Sequence, residues 1–136
     1  MDKIRLFVYG TLRIGGESHS IVAPYVITTK RYQLHGRLYR VGSYPALVWD
    51  PAEEGLVTGD LLTVSTEALK PLDEWEDYVG PGHPDNEYER ILHPEGFFVY
   101  IWSQEKVDRL GLPRIDGGDW LHDTGQKKPQ LGKGFI

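Results

Sequence analysis

General acid–base work needs a carboxyl group placed where its surroundings differ from water, and Glu76 has that placement. Leu69 and Leu72 lie three apart, and Glu76 lies four beyond Leu72 and seven beyond Leu69. On a helix this spacing puts Glu76 on or beside the apolar face and leaves Asp73, Glu74 and Asp77 to face water. A carboxylate at an apolar seam is costly unless it is hydrogen-bonded, hydrated or protonated. Two readings stay open from the pattern: an acid/base group in a site, or a rim residue whose stem packs while its oxygens reach solvent. Trp75 adds a large apolar surface next to it, as a site wall or simply as a core anchor.

The second segment is Leu6-Phe7-Val8-Tyr9-Gly10-Thr11-Leu12-Arg13, an apolar run that ends in a glycine and a short mixed stretch. Gly10 suits a sharp exit from a buried strand, through a positive φ or a close approach to the main chain. A loop of this kind presents successive N–H groups to an oxygen atom of a ligand. An ordinary first strand and turn has the same pattern.

Other chemistries find less support. The five histidines never fall at a zincin spacing, and the acidic stretch around Asp85 does not repeat a calcium loop, so no metal is expected. Gly10, Gly15 and Gly16 form neither a Walker loop nor a dinucleotide fingerprint, and the adjacency of Ser18 and His19 does not make a dyad. With no cysteine there is no thiolate nucleophile and no disulfide. Twenty Asp and Glu against fifteen Lys and Arg give a net charge of -5, which disfavours a nucleic-acid partner. No run approaches the roughly 18 apolar residues of a spanning helix, and the N-terminus lacks the apolar core of a signal peptide, so a cytoplasmic, non-membrane protein is expected.

The elements that must position these groups read as one α+β domain over residues 1–136, with 121–136 as a C-terminal extension that includes Lys127, Lys128 and Lys133. Strands are expected at residues 4–9, 32–38, 44–48, 56–64, 88–92 and 97–102, with Gly59 marking a bulge and residues 93–96 a hairpin turn. Pro45 favours an edge or a strand entry. A helix should begin at Ser65 or Thr66, take Pro71 at the start of its second part, and end near Tyr78. Residues 80–86 form a rim, lid or passive loop, residues 108–112 a short helix, and Trp120 an anchor after a glycine turn.

Tyr9-Gly10-Thr11-Leu12-Arg13, Tyr44-Pro45-Ala46-Leu47, Leu72-Asp73-Glu74-Trp75-Glu76 and Tyr88-Glu89-Arg90 occur in the order of motifs found in the gamma-glutamylcyclotransferase-like superfamily, which includes AIG2-like proteins and gamma-glutamylamine cyclotransferases. The chain resembles that superfamily over roughly residues 4–120. The resemblance implies a compact mixed β-barrel of about six strands with packed helices. It implies a cavity in which Tyr9, Gly10, Thr11 and Leu12 bind a small-molecule gamma-glutamyl substrate, Tyr88 forms a wall and Glu76 is the acid/base. Arg90 fits a structural or rim charge better than an acid. The implied reaction releases 5-oxoproline and an amine without a cofactor. Removal of a gamma-glutamyl group from a biosynthetic intermediate, or non-catalytic binding on the same fold, are the alternatives. Two positions depart from the pattern: Asp77 stands where many relatives have glycine, and residues 16–19 lack the asparagine common after the opening motif.

Overall fold

The computed structural model describes residues 2–122, so the C-terminal extension lies outside the described residues from 123 onward. Six strands form one sheet: β1 (Lys3–Val8), β2 (Val26–Val41), β3 (Tyr44–Trp49), β4 (Leu56–Ser65), β5 (Glu89–Leu92) and β6 (Phe98–Ile101). Their order is β3-β2-β4-β1-β6-β5, antiparallel except where β1 runs parallel to β6. The mixed α+β fold and the strand number match the expectation. Closure does not follow from the ladders, because β3 and β5 stand at the two ends. The curvature is nonetheless strong enough for Trp102 N–H to donate to the Leu47 carbonyl at 2.9 Å, which brings the chain after β6 against β3.

β1 is central, and Leu6, Phe7 and Val8 are all buried, as a strand covered on both faces requires. In β2 the expected alternation holds: Leu34, Gly36 and Leu38 are buried, while Gln33 and His35 are exposed. The strand starts earlier than its apolar pattern, at Val26, because the exposed segment through Arg31 is held by pairing with β4 instead of by burial. Gly59 does not mark a bulge. It faces Tyr32 in unbroken register, and the irregularity falls between Val26 and Thr28. Gly59 is small for another reason: a Cβ there would lie 2.3 Å from the Val8 carbonyl oxygen and 2.6 Å from the Phe7 ring. Pro45 sits in β3, an end strand, where a missing N–H is tolerated.

Ser65 caps the segment after β4, its hydroxyl accepting from Glu67 N–H at 3.2 Å. A 3₁₀ turn over Thr66–Ala68 then leads into α1 (Leu69–Trp75). Pro71 is therefore the third residue of α1, still within the first turn where an N–H has no helical acceptor. The second helix, α2 (Gln104–Leu110), begins before the expected 108, since Ser103 caps it by accepting from Lys106 N–H at 3.1 Å. Trp120 is fully buried, as an anchor should be. Among the described residues, no helix is long and apolar enough to cross a membrane.

Candidate functional site

The deepest stripe of the α1 segment runs Ala68, Leu72, Glu76, four residues apart, and all three are buried. Leu69 is only half-buried, so Ala68 shares the face of Glu76 more closely than Leu69 does. Glu76 has no exposed surface, which removes the reading of a rim residue with solvated oxygens. It is the C-cap of α1, with its N–H donating to the Leu72 carbonyl at 2.9 Å. The chain leaves through Asp77, whose φ is +55°. Tyr78 N–H donates to the Asp73 carbonyl at 2.9 Å and Asp77 N–H to that of Glu74 at 3.3 Å, the bond pair of a Schellman turn. This explains why glycine suits position 77: the residue is left-handed.

Tyr9, directly after β1, is also fully buried. Its hydroxyl donates to the Tyr100 carbonyl at 2.6 Å and accepts from Leu47 N–H at 3.3 Å. Tyr88 is buried, and its hydroxyl donates to the Pro45 carbonyl at 2.6 Å. Burial holds the Tyr9 and Tyr88 phenols well above their ordinary pKa, and the charge of Glu76 adds to the shift in both. Burial first, then the charges of Glu87, Asp77 and Glu76, push Tyr44 up to about 12. The charge of Glu76 thus acts on the phenols of Tyr9 and Tyr88, and on those of Tyr44 and Tyr100 as well.

Thr11 and Leu12 are buried in the loop after Tyr9, with Gly10 beside them. The loop is folded back and braced. Arg13 N–H donates to the Gly10 carbonyl at 3.1 Å, Ser18 N–H to that of Thr11 at 2.9 Å, and His19 Nδ1 to that of Leu12 at 2.8 Å. Since a carbonyl only accepts, this last bond puts a proton on Nδ1 of His19. The closure requires Gly16, where a Cβ would lie 2.4 Å from the Thr11 carbonyl oxygen. Two 3₁₀ turns, His19–Ile21 and Ala23–Tyr25, complete the cover.

Several supporting residues escaped the sequence reading. Arg13 is 2 % exposed, donates to Asp119 at 2.8 Å and lies 3.6 Å from Asp60, which itself accepts from Ile14 N–H at 2.9 Å. It ties the end of the loop to β4 and to the turn before Trp120. Its place directly after the Tyr-Gly-Thr-Leu run was the available signal. Asp73, expected to face water, is half-buried and accepts from both Tyr100 and Arg90 at 2.6 Å. Arg90 is accordingly a structural charge. A cavity of about 230 Å³ lies beside Tyr88, walled also by Glu87, Trp102 and Lys106, but neither Tyr9 nor Glu76 lines it. Among the described residues, no group of three or more His, Cys, Asp or Glu side chains is placed to hold a metal.

The family described as gamma-glutamyl cyclotransferase, AIG2-like, matches residues 6–122. The chain belongs to this family. The gamma-L-glutamyl-butirosin B gamma-glutamyl cyclotransferase of Niallia circulans is 40% identical over 87 residues, 63% of this chain and 54% of that protein. The putative gamma-glutamylcyclotransferase YkqA of Bacillus subtilis is 24% identical over 124 residues, 85% of this chain and 40% of that protein. The chain therefore spans about half the length of these curated relatives, or less. Among solved structures, an AIG2-like protein from Mus musculus superposes with a TM-score of 0.69 at 24% identity, covering 98% of this chain and 100% of that one. At that identity the superposition speaks for the fold.

Proposed function

We propose that the protein cleaves a gamma-glutamyl amine or peptide by intramolecular aminolysis, with Glu76 as general acid/base. The observation that carries this reading is a fully buried carboxylate at the end of α1, electrostatically coupled to Tyr9 and Tyr88, in a chain of this family. In the reaction the substrate α-ammonium gives a proton to Glu76, and the freed amine attacks its own γ-carbonyl carbon. A five-membered ring forms, Glu76 returns the proton to the leaving nitrogen as its bond to that carbon breaks, and the ring nitrogen then gives up its second proton, which departs with the amine as its ammonium. The products are 5-oxoproline and the amine.

No external nucleophile enters, so the main requirement is a folded-back substrate. Holding reacting groups against each other lowers such a barrier by several kcal/mol, up to about 7–11 in the best intramolecular cases. The N–H groups along Gly10, Thr11 and Leu12 are assigned the substrate α-carboxylate, a choice that selects for a glutamyl group. Tyr9 and Tyr88, whose hydroxyls serve main-chain carbonyls, act as walls. Burial of Glu76 keeps competing water from the carboxylate, and entry of the glutamyl group requires side chains around it to shift.

A second reading is favoured by the relative from Niallia circulans, whose name specifies a gamma-glutamylated butirosin: here the leaving amine is part of a larger biosynthetic intermediate. The test is 5-oxoproline release from gamma-glutamyl alkylamines, dipeptides, glutathione and a gamma-glutamylated aminoglycoside, with Glu76→Gln as control. Loss of acid/base catalysis predicts a rate at least about 100-fold lower in the folded variant. An undiminished rate removes Glu76 from the mechanism. Binding without turnover across all substrates makes the protein a binder on this fold.

A further inference from the structure

Resting on the assignment of Glu76, the geometry points to Asp73 as the positioning residue that holds the acid/base in register with the tyrosine wall. Helix α1 has only seven residues, about two turns, and a helix so short has little stability of its own. Its direction must come from outside, and Asp73, one turn before Glu76, supplies the ties. One carboxylate oxygen accepts from Tyr100 Oη at 2.6 Å, fastening the helix to β6. The other accepts from Arg90 Nη1 at 2.6 Å, fastening it to β5.

The same residue also shapes the exit that follows Glu76. Its main-chain carbonyl accepts from Tyr78 N–H at 2.9 Å, closing the turn in which Glu76 is the C-cap. Arg90, fixed by Asp73, lies 5.0 Å above the Tyr78 ring and 5.2 Å above the Phe98 ring. Tyr78 in turn meets Tyr100 edge to face, with ring centroids 6.4 Å apart.

Tyr100 closes the connection to the other half of the site. Its side chain donates to Asp73, while its carbonyl accepts from the Tyr9 hydroxyl at 2.6 Å. A continuous path therefore runs from Arg90 through Asp73 and Tyr100 to Tyr9. The helix end that carries Glu76 and the strand end that begins the glutamyl loop are referenced to one residue of β6. A reacting group displaced by about 1 Å loses on the order of 100-fold in rate, so this bracing bears directly on proton transfer.

Asp73→Asn keeps the size and one acceptor but removes the charge that Arg90 requires; Tyr100→Phe removes the bond to β6 and leaves the Arg90 pair. Each is assayed beside Glu76→Gln on two substrates, a gamma-glutamyl alkylamine and gamma-glutamyl-p-nitroanilide. The alkylamine leaves only with a proton delivered to its nitrogen, whereas the nitroaniline needs far less help. A displaced acid therefore lowers kcat at least about 10-fold more on the alkylamine than on the anilide, with KM nearly unchanged. A loss of folded protein lowers both substrates by the same factor.

The expected result is this substrate-selective loss in both bracing variants, in the same sense as in Glu76→Gln. Uniform loss, or none, in folded Asp73→Asn and Tyr100→Phe while Glu76→Gln is selective overturns the positioning role alone. Should Asp73→Asn not fold, Tyr100→Phe decides by the same criterion. Full activity of Glu76→Gln, or no 5-oxoproline from either substrate with the unmodified protein, overturns both the role and the functional reading beneath it.

Discussion

Replacing Tyr9 with phenylalanine deletes one oxygen at a point where three segments meet. In the native protein that hydroxyl donates to the Tyr100 carbonyl at 2.6 Å and accepts from Leu47 N–H at 3.3 Å. Tyr9, Leu47 and Tyr100 have no exposed surface, so water does not take over either bond. A buried polar group left without its partner costs about 1–3 kcal/mol. The short bond to Tyr100 accounts for most of the loss, and the long one from Leu47 adds less. Together they give a destabilisation of about 2–3 kcal/mol, a large fraction of the roughly 5–15 kcal/mol that holds an ordinary domain. For a domain of this length each kcal/mol lowers Tm by about 3–5 °C, so the midpoint should fall by about 6–15 °C. Urea unfolding should show a lower midpoint at unchanged slope. A loss below about 0.5 kcal/mol, the range of an inconsequential surface change, would refute the claim that this hydroxyl braces β3, β6 and the end of β1.

Asp77→Gly should stabilise the protein by about 0.5–1 kcal/mol, because glycine adopts the left-handed φ of +55° without the strain a Cβ brings. A thermal melt reads this as a rise of a few degrees, and a lower midpoint would show that contacts of the Asp77 side chain outweigh the backbone term. A separate pH effect follows from His93, where desolvation lowers the imidazole pKa from 6.5 although Glu95 opposes the shift. The unfolded chain then binds the proton more readily than the folded one. The contribution of His93 is complete above about 6.5 and is lost as pH falls from there toward the lower folded value. Urea midpoints between pH 7.5 and 5, compared with His93→Gln, should show the native protein losing its advantage on acidification; a constant difference would remove His93 as the cause.

The parts of the fold that follow local rules were legible. The six strands and the helix before Glu76 announced themselves through apolar runs, alternation and a capping serine, and apart from the early start of β2 the structure places them within a few residues. What the sequence hid are features set by partners far along the chain. The early start of β2 depends on pairing with β4, and the role of Gly59 depends on the Val8 carbonyl and the Phe7 ring. Whether a six-stranded sheet closes is a question of how its end strands meet, which no local pattern encodes. Arg13 and Asp73 carry charges that a helical or loop pattern assigns to solvent, and both turned inward because their partners arrive from distant segments.

The place of Glu76 on the apolar face of α1 was legible, while the pattern left its burial open, and that burial bears on its chemistry. A seven-residue helix has few positions with which to hold a core, so an acidic residue on its buried stripe gives up apolar area that alanine or leucine would have supplied. Asp73 follows the opposite logic, lying off that stripe and meeting its charge with Arg90 and a tyrosine. Two carboxylates one turn apart are thus in different situations, one braced by a cation and one withdrawn from solvent beside tyrosines that its charge perturbs. Separated environments of this kind are how a protein divides structural from proton-transfer duties between acidic residues. The division predicts different responses to amide substitution: Glu76→Gln should leave Tm within a few degrees of native while activity collapses, because the shape of the buried side chain is kept. Asp73→Asn should lower Tm as well as turnover, because it leaves Arg90 without its counter-charge. Melting both variants beside the native protein decides this, and a Glu76→Gln midpoint lower than that of Asp73→Asn would refute it.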